Sequence, residues 1–240
     1  MSAHTRRDLT ILPMGNNCLV IACDTCGAVG IKSGDILKIS PRYAAKFTAR
    51  VALTEVMCAG ATPTVVINGV SCEMSPTGME TIKGINDEIE NTGLSDIILT
   101  GSTEENFPTC MTAMAITVIG TAPVQGLKFD NAATGDRLVL FGSPKVGTEV
   151  DLDEKGFYPE IKMLQKLPGV KEIVPAGSKG IASEVSTLAA LSKVTYKLYE
   201  TGIDYNKSAG PATCLIVLCS KPTVKQILNF CPGAICIGEI

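Results

Sequence analysis

The sequence predicts an α/β (α+β) protein of two domains, the first with long strands and two helices, the second smaller. Three observations predict it. Short apolar runs of strand length alternate with longer stretches of helical spacing. Capping residues stand at the ends of those longer stretches. Between Pro123 and Gly135 the periodicity lapses while Gly, Pro and Asn accumulate, which marks a junction and divides the chain into 1–123 and 124–240. Apolar residues make up 45% of the 240 and charged residues 19%, so the chain can build cores and is not a disordered one.

The elements follow in order. Leu9–Leu12 and Cys18–Cys23 read as strands joined through Met14-Gly15-Asn16-Asn17. Ser40 followed by Pro41 starts a helix, with Ser as cap and Pro at the first helical position. That helix runs to about Cys58 and stops at Gly60. Ala61-Thr62-Pro63 then leads into the run Val65-Val66-Ile67. A second helix opens near Ser75-Pro76, carries Met79, Ile82, Ile85 and Ile89 at helical spacing, and closes at Gly93. Strands at 95–100 and 110–121 complete the first half. In the second half, strands fall at Arg137–Phe141, 170–175, 214–219 and 234–240. Helices fall at 158–167, from Gly180 to Leu191, and after Ser220-Lys221-Pro222. No repeat and no low-complexity segment interrupts this pattern.

A net charge of −3 gives no electrostatic reason to expect nucleic acid or an anionic membrane as partner. No apolar run has bilayer length, and Met1–Asp8 is polar without a signal-peptide core, so a soluble cytoplasmic protein is expected. Ten cysteines include the C-x-x-C of Cys23 and Cys26, which leaves open a redox pair, half a zinc site or simple thiols. Cys18, Cys214, Cys219 and Cys236 lie in apolar runs, where a reduced thiol behaves as a small hydrophobe. The single histidine, His4, lies in a terminus expected to fray, which excludes Ser-His-Asp and Cys-His catalysis and multi-histidine metal sites. Phosphoryl transfer suits what remains, because positioning and charge stabilisation dominate it.

Thr100-Gly101-Ser102-Thr103-Glu104-Glu105-Asn106 sets two adjacent carboxylates in a small-residue turn between two strands. Such a turn is a poor core and a good holder of Mg²⁺, which takes one or two carboxylates plus water and phosphate oxygens. Asp24 is expected at the end of another strand, facing Glu104 across adjacent strand ends. A solvated acidic loop and a turn-capping Asp24 are the plain alternatives. Lys32, Lys38 and Arg50 are candidate phosphate contacts, with an Arg50–Glu55 surface pair as the alternative for Arg50. Lys145, Lys179 and Lys207 sit in glycine-containing loops where backbone amides can also approach a phosphate. No G-x-x-x-x-G-K-[ST] is present, so this is not a P-loop enzyme.

Several of these pieces resemble, in order, the ATP-binding superfamily of aminoimidazole ribonucleotide (AIR) synthase, selenophosphate synthetase and thiamine-phosphate kinase. Gly15-Asn16-Asn17-Cys18 stands where many members carry Gly-Asp-Asp, and Cys23-Asp24-Thr25-Cys26-Gly27 where they carry a strand-end aspartate. Leu53–Pro63 is similar to their helix end, and Thr100–Glu104 to their Gly-Gly-Asp-Thr turn. Gly135-Asp136 resembles the pair opening the second domain, and Gly177-Ser178-Lys179-Gly180 its glycine-rich helix entry. The resemblance implies a first domain that closes a barrel with its twin across a homodimer. ATP would lie between the halves, its phosphates held by Mg²⁺ on Asp24, Glu55 and Glu104. Gly101, Ser102 and Thr103 with Lys145, Lys179 and Lys207 would contact the nucleotide. Asp24 would serve catalysis and Glu105 would orient a substrate hydroxyl. Asn16, Asn17 and Ser102 replace acidic residues of the family and lower the charge of the site. Thr5–Thr10, Gly101–Asn106 and Lys207–Pro211 look most like the α-ribazole kinases, which phosphorylate the 5′-hydroxyl of a nucleoside-like substrate used in cobamide assembly.

Overall fold

A computed structural model describes residues 3–240, which form two compact units. The first comprises the chain up to Met57, Ala61–Gln125 and Leu152–Gly156; the second comprises Cys58–Gly60, Gly126–Asp151 and Phe157–Ile240.

In the first unit the chain runs β1 (His4–Arg6), β2 (Leu9–Met14), β3 (Asn17–Gly27), β4 (Val29–Gly30), β5 (Leu37–Lys38), α1 (Pro41–Cys58) and β6 (Thr62–Val70). A π-helical turn over Met74–Gly78 leads into α2 (Met79–Thr92), followed by β7 (Ile98–Thr103) and β8 (Ala113–Pro123). The main sheet has the order β1-β2-β3-β8-β6-β7. Its pairs are antiparallel except β6 with β7, which makes the sheet mixed. Ser40 Oγ accepts from the Arg42 amide at the start of α1, and Gly93 closes α2 at φ 63°, a left-handed turn that suits glycine. Pro63 sits where the β6–β8 register shifts, an irregularity that tolerates its missing amide donor.

Three expectations shift. His4 is held in β1 opposite Ile11 rather than fraying, because β1 pairs back onto β2. β3 continues past Cys23 to Gly27, since β8 pairs with it along its whole length. β7 starts later than the apolar run suggests and takes in Gly101, Ser102 and Thr103, because Asn68, Gly69 and Val70 of β6 pair with them. Tertiary pairing here overrides weak strand propensity.

Strand alternation sorts the two faces. Cys18, Val20 and Ala22 of β3 and Met114, Ile116 and Val118 of β8 are buried on the face that carries α1. A side chain on Gly120 would meet Val56 of α1, and one on Gly84 of α2 would meet the Arg42 carbonyl, so both glycines permit close packing. On the opposite face Ile21, Ile119, Val65 and Ile98 stand in register across four strands, and Ile98 is 64% exposed.

The second unit contains β9 (Arg137–Gly142), α3 (Tyr158–Lys166), β10 (Val170–Pro175), α4 (Gly180–Ser192), β11 (Lys197–Leu198), β12 (Cys214–Cys219), α5 (Thr223–Phe230) and β13 (Ile235–Glu239). Its sheet is antiparallel in the order β10-β12-β9-β13-β11. Pro175 falls on an edge strand, where its missing amide costs no ladder bond. Every residue of β12 is buried, so both faces of that strand are covered. Leu138, Leu140, Ile216 and Leu218 pack with Ile181, Val185 and Leu188 of α4. Each such side chain contributes about 1.5–3 kcal/mol by leaving water.

Candidate functional site

β3, β8, β6 and β7 carry one rung of the first-unit sheet that joins two of the sequence candidates: Asp24 lies opposite Ile116, Ile116 opposite Asn68, and Asn68 opposite Gly101. All four lie on the helix-bearing face. Asp24 and Gly101 are thus level but three strands apart, roughly 14 Å at about 4.8 Å per step. Asp24 does not face Glu104 across adjacent strand ends, because β8 and β6 intervene. Nor is it a strand-end residue, since three more residues of β3 follow it. Asn17 opens the same strand seven residues earlier, roughly 23 Å from Asp24.

Asp24 is half-buried. Burial pushes its carboxyl up to about 6 against the pull of the Thr25 amide, and the Asp8 carboxylate adds to the rise. A neighbouring cation or hydrogen-bond donor would reverse that rise. Glu104 Oε1 accepts from the Asn106 amide at 2.6 Å and from the Phe107 amide at 3.2 Å, which closes its own turn. Glu105 Oε1 accepts from the Met74 amide at 2.7 Å and from Thr103 Oγ1 at 2.8 Å. These bonds lock the loop after β7 onto the π-helical turn. Glu55 lies half-buried on α1. Among the described residues no three Asp, Glu, His or Cys side chains gather closely enough to hold a metal ion. Asp24, Glu55 and Glu104 of one chain therefore do not converge.

The first-unit cations are otherwise engaged. Arg50 is 2% exposed and its guanidinium pairs with Glu88, so it is a buried structural cation rather than a surface one. Lys38 Nζ donates to the carbonyls of Lys32 and Ser33. Lys32 Nζ pairs with Glu73 at 2.5 Å, and Thr77 Oγ1 donates to the other Glu73 oxygen. Partial burial pushes the Glu73 carboxyl up, but Lys32 and Thr77 more than reverse this and hold it at about 2. A carboxyl depressed by folding stabilises above its unfolded value, and that stability disappears as pH falls towards the folded value. Denaturant titrations at pH 7 and pH 3 are therefore expected to show Glu73→Gln less stable than wild type at pH 7, with the gap narrowing at pH 3. An unchanged gap would remove the ion pair from the account.

In the second unit three candidate lysine loops come together. The Lys145 amide donates to Thr213 Oγ1 at 3.0 Å, and that hydroxyl donates to the Ala209 carbonyl. The Ala209 amide in turn donates to Gly177, and the Ala182 amide to Tyr205. Lys207 Nζ pairs with Glu149 at 2.8 Å, while Lys179 is exposed at the start of α4. Gly180 has φ +80°, and a side chain there would strike the Tyr205 and Lys207 carbonyls, so glycine is what lets these loops close on each other. Asp136 braces the junction instead of facing a site: it is buried, pairs with Lys171 at 2.7 Å and accepts from the Ala133 amide.

None of the ten cysteines forms a disulfide. Cys23 is exposed and Cys26 half-buried, three residues apart on one strand, which sends their side chains to opposite faces. That placement excludes the redox-pair reading of the C-x-x-C. Cys18, Cys214 and Cys219 are buried as expected, whereas Cys236 is half-buried.

Between α2 and β7 lies a cavity of about 630 Å³ that sequence reading missed. Gly101, Ser102, Thr103 and Glu105 line it, together with Asn68, Leu99 and Ile82. Asn68 is 4% exposed, and its Oδ1 has no hydrogen-bond partner. The signal for it was available: Asn68 shares strand parity with Val66 and Val70, so a polar side chain falls at an inward position.

No family model matches the sequence, and no curated protein matches it. Solved structures are similar. HypE in a HypE–HypF complex is 17% identical with a TM-score of 0.72, over 95% of this chain and 86% of that one. HypE of E. coli, a hydrogenase maturation protein, is 20% identical with a TM-score of 0.66, over 91% and 78%. T. maritima PurL complexed with ADP is 16% identical with a TM-score of 0.72; the alignment covers 97% of this chain and 41% of PurL. PurL structures with AMPPCP, FGAR and ATP are similar as well. At these identities the likeness shows the fold, which is the mixed α/β architecture of AIR synthase-like proteins. No helix among the described residues is long and apolar enough to cross a membrane.

Proposed function

We propose that this chain is an ATP-dependent small-molecule kinase, with the 5′-hydroxyl of α-ribazole as its acceptor. The observation that carries the proposal is the small-residue end of β7, Gly101–Thr103, continued by Glu104 and Glu105, standing level with a half-buried Asp24 on this fold. PurL, which shares the fold, has been seen with ADP and ATP, and this supports the nucleotide. The acceptor oxygen would attack the γ-phosphorus, the bond to the β,γ-bridging oxygen would break, and ADP would leave. Glu105, already oriented by Met74 and Thr103, would take the hydroxyl proton. Glu55 and Glu104 do not converge on Asp24, so Asp24 is the carboxylate proposed to contact Mg²⁺ held mainly by nucleotide phosphates and water; the ion, when bound, neutralises phosphate charge. Lys145, Lys179 and Lys207 are proposed phosphate contacts of the second unit.

A homodimer is part of the proposal. The apolar rung Ile21, Ile119, Val65 and Ile98 supports it, since a partner sheet would cover that face and close a barrel. A second reading, a non-catalytic ATP-binding dimer, is favoured by Asn16, Asn17 and Ser102 in place of acidic residues. Incubation with ATP, Mg²⁺ and α-ribazole is expected to yield α-ribazole 5′-phosphate by mass. ATP binding without any product favours the second reading. Product from thiamine monophosphate or selenide instead assigns another superfamily reaction.

A further inference from the structure

We infer that the cavity between α2 and β7 is the acceptor site, and that it selects an uncharged riboside with an apolar heterocyclic base. The ribose would donate a hydroxyl hydrogen bond to Asn68 Oδ1 while the base lies on Met74, Ile82 and Leu99. This rests on the kinase reading above.

The volume of about 630 Å³ falls within the range that holds small ligands. Asn68 supplies the strongest pointer. A buried acceptor left without a donor is costly, and an apolar residue between Val66 and Val70 would avoid that cost. Gly101 stands directly opposite, and a side chain there would lie 2.1 Å from the Asn68 main-chain carbonyl oxygen and 3.0 Å from the Asn68 Cβ, so only glycine leaves room beside this residue. An incoming hydroxyl thus meets an acceptor that nothing in the chain satisfies.

Charge decides the class of acceptor. No lysine or arginine lines the cavity, and Glu105 is its one charged group. A phosphate-bearing acceptor would meet a carboxylate and no compensating cation, whereas a neutral nucleoside meets an apolar wall and an acceptor for its hydroxyl. Glu105 at the rim also places the proposed proton acceptor beside the ribose. Methionine, isoleucine and leucine give the base a surface that does not demand polar edges.

The test is steady-state kinetics with α-ribazole and ATP on wild type, Asn68→Leu and Ile82→Trp. Asn68→Leu removes the acceptor oxygen at similar volume; Ile82→Trp fills the cavity from the helix side. Asn68→Leu is expected to raise the KM for α-ribazole roughly tenfold with the KM for ATP unchanged, and without loss of thermal stability, because Oδ1 holds no protein partner. Ile82→Trp is expected to raise it further. Should wild type phosphorylate α-ribazole while both variants keep its KM, the cavity assignment is overturned and the kinase reading stands. Should wild type transfer phosphate to no acceptor, the kinase reading fails, and calorimetry with α-ribazole alone decides the cavity. Binding to wild type that is lost in Ile82→Trp supports it; no binding to wild type overturns it. A preference for thiamine monophosphate over α-ribazole overturns the charge argument.

Discussion

Arg50→Met is expected to lower the stability of this protein by about 3–5 kcal/mol, the usual penalty for leaving one partner of a buried ion pair without the other. Arg50 Nε lies 2.7 Å from Glu88 Oε1, Nη2 lies 3.1 Å from Oε2, and the Glu88 side chain is fully buried. The same guanidinium donates to the Glu154 carbonyl at 2.6 Å and stacks 4.8 Å from the centre of the Phe47 ring. It therefore ties α1 to α2 and to the Leu152–Gly156 segment. Truncating it takes the guanidinium from a buried carboxylate that also accepts from the Asn91 side-chain amide at 3.1 Å. In a melt the loss corresponds to a drop on the order of 10 °C in the transition of the affected unit. Arg50→Met with Glu88→Met should recover much of it, because apolar side chains of similar volume replace the pair without a desolvation cost. A single variant as stable as wild type would show that Glu88 finds another cation or water, and would remove the pair as the clamp between the helices.

The elements that sequence made legible are those with local instructions. Ser40-Pro41 starts α1 and Gly93 ends α2 because capping geometry is written in a few adjacent residues. β12 falls at 214–219 because a fully apolar run has few other places to go. Illegible were the features decided by a distant partner. Nothing local in Thr5 or Gly101 asks for a strand, yet β2 and β6 recruit them. The short strands β4, β5 and β11 pair over two residues each, too few for any periodicity to show.

The candidate site divides in the same way. Its residue types were readable, because turns with carboxylates and lysines beside glycines are local facts. Their geometry was not. Whether Asp24 and Glu104 are neighbours depends on the order of strands, and β8, which is last in the first unit, inserts between β3 and β6. Arg50 looked available because Glu88, its partner, lies 38 residues away on another helix. Asn68 looked like one polar residue in an apolar run until register placed it opposite a glycine. The Lys179 and Lys207 loops meet where Gly180 admits close approach of the backbone at 205–207, and the Lys145 loop joins them through Thr213.

Asp24→Asn is expected to reduce phosphoryl transfer on the order of a hundred- to a thousandfold, the scale for removing one preorganised electrostatic contact. The amide keeps the shape of the carboxylate but loses its charge, so a metal or phosphate-orienting role disappears while packing is retained. Stability provides the control. Burial holds the Asp24 carboxyl up at about 6, which means that at neutral pH the folded protein carries the ionised form at a cost. Folding raises this pKa, so the penalty is absent at low pH and grows as pH rises through the folded value. Asp24→Asn removes it and should be at least as stable as wild type at pH 7, though less active. A residue that merely caps a turn would behave in the opposite way: its loss would lower stability and leave turnover nearly intact. Measuring turnover and denaturant midpoint on one preparation separates the two. Full activity in Asp24→Asn would remove the metal-ligand assignment.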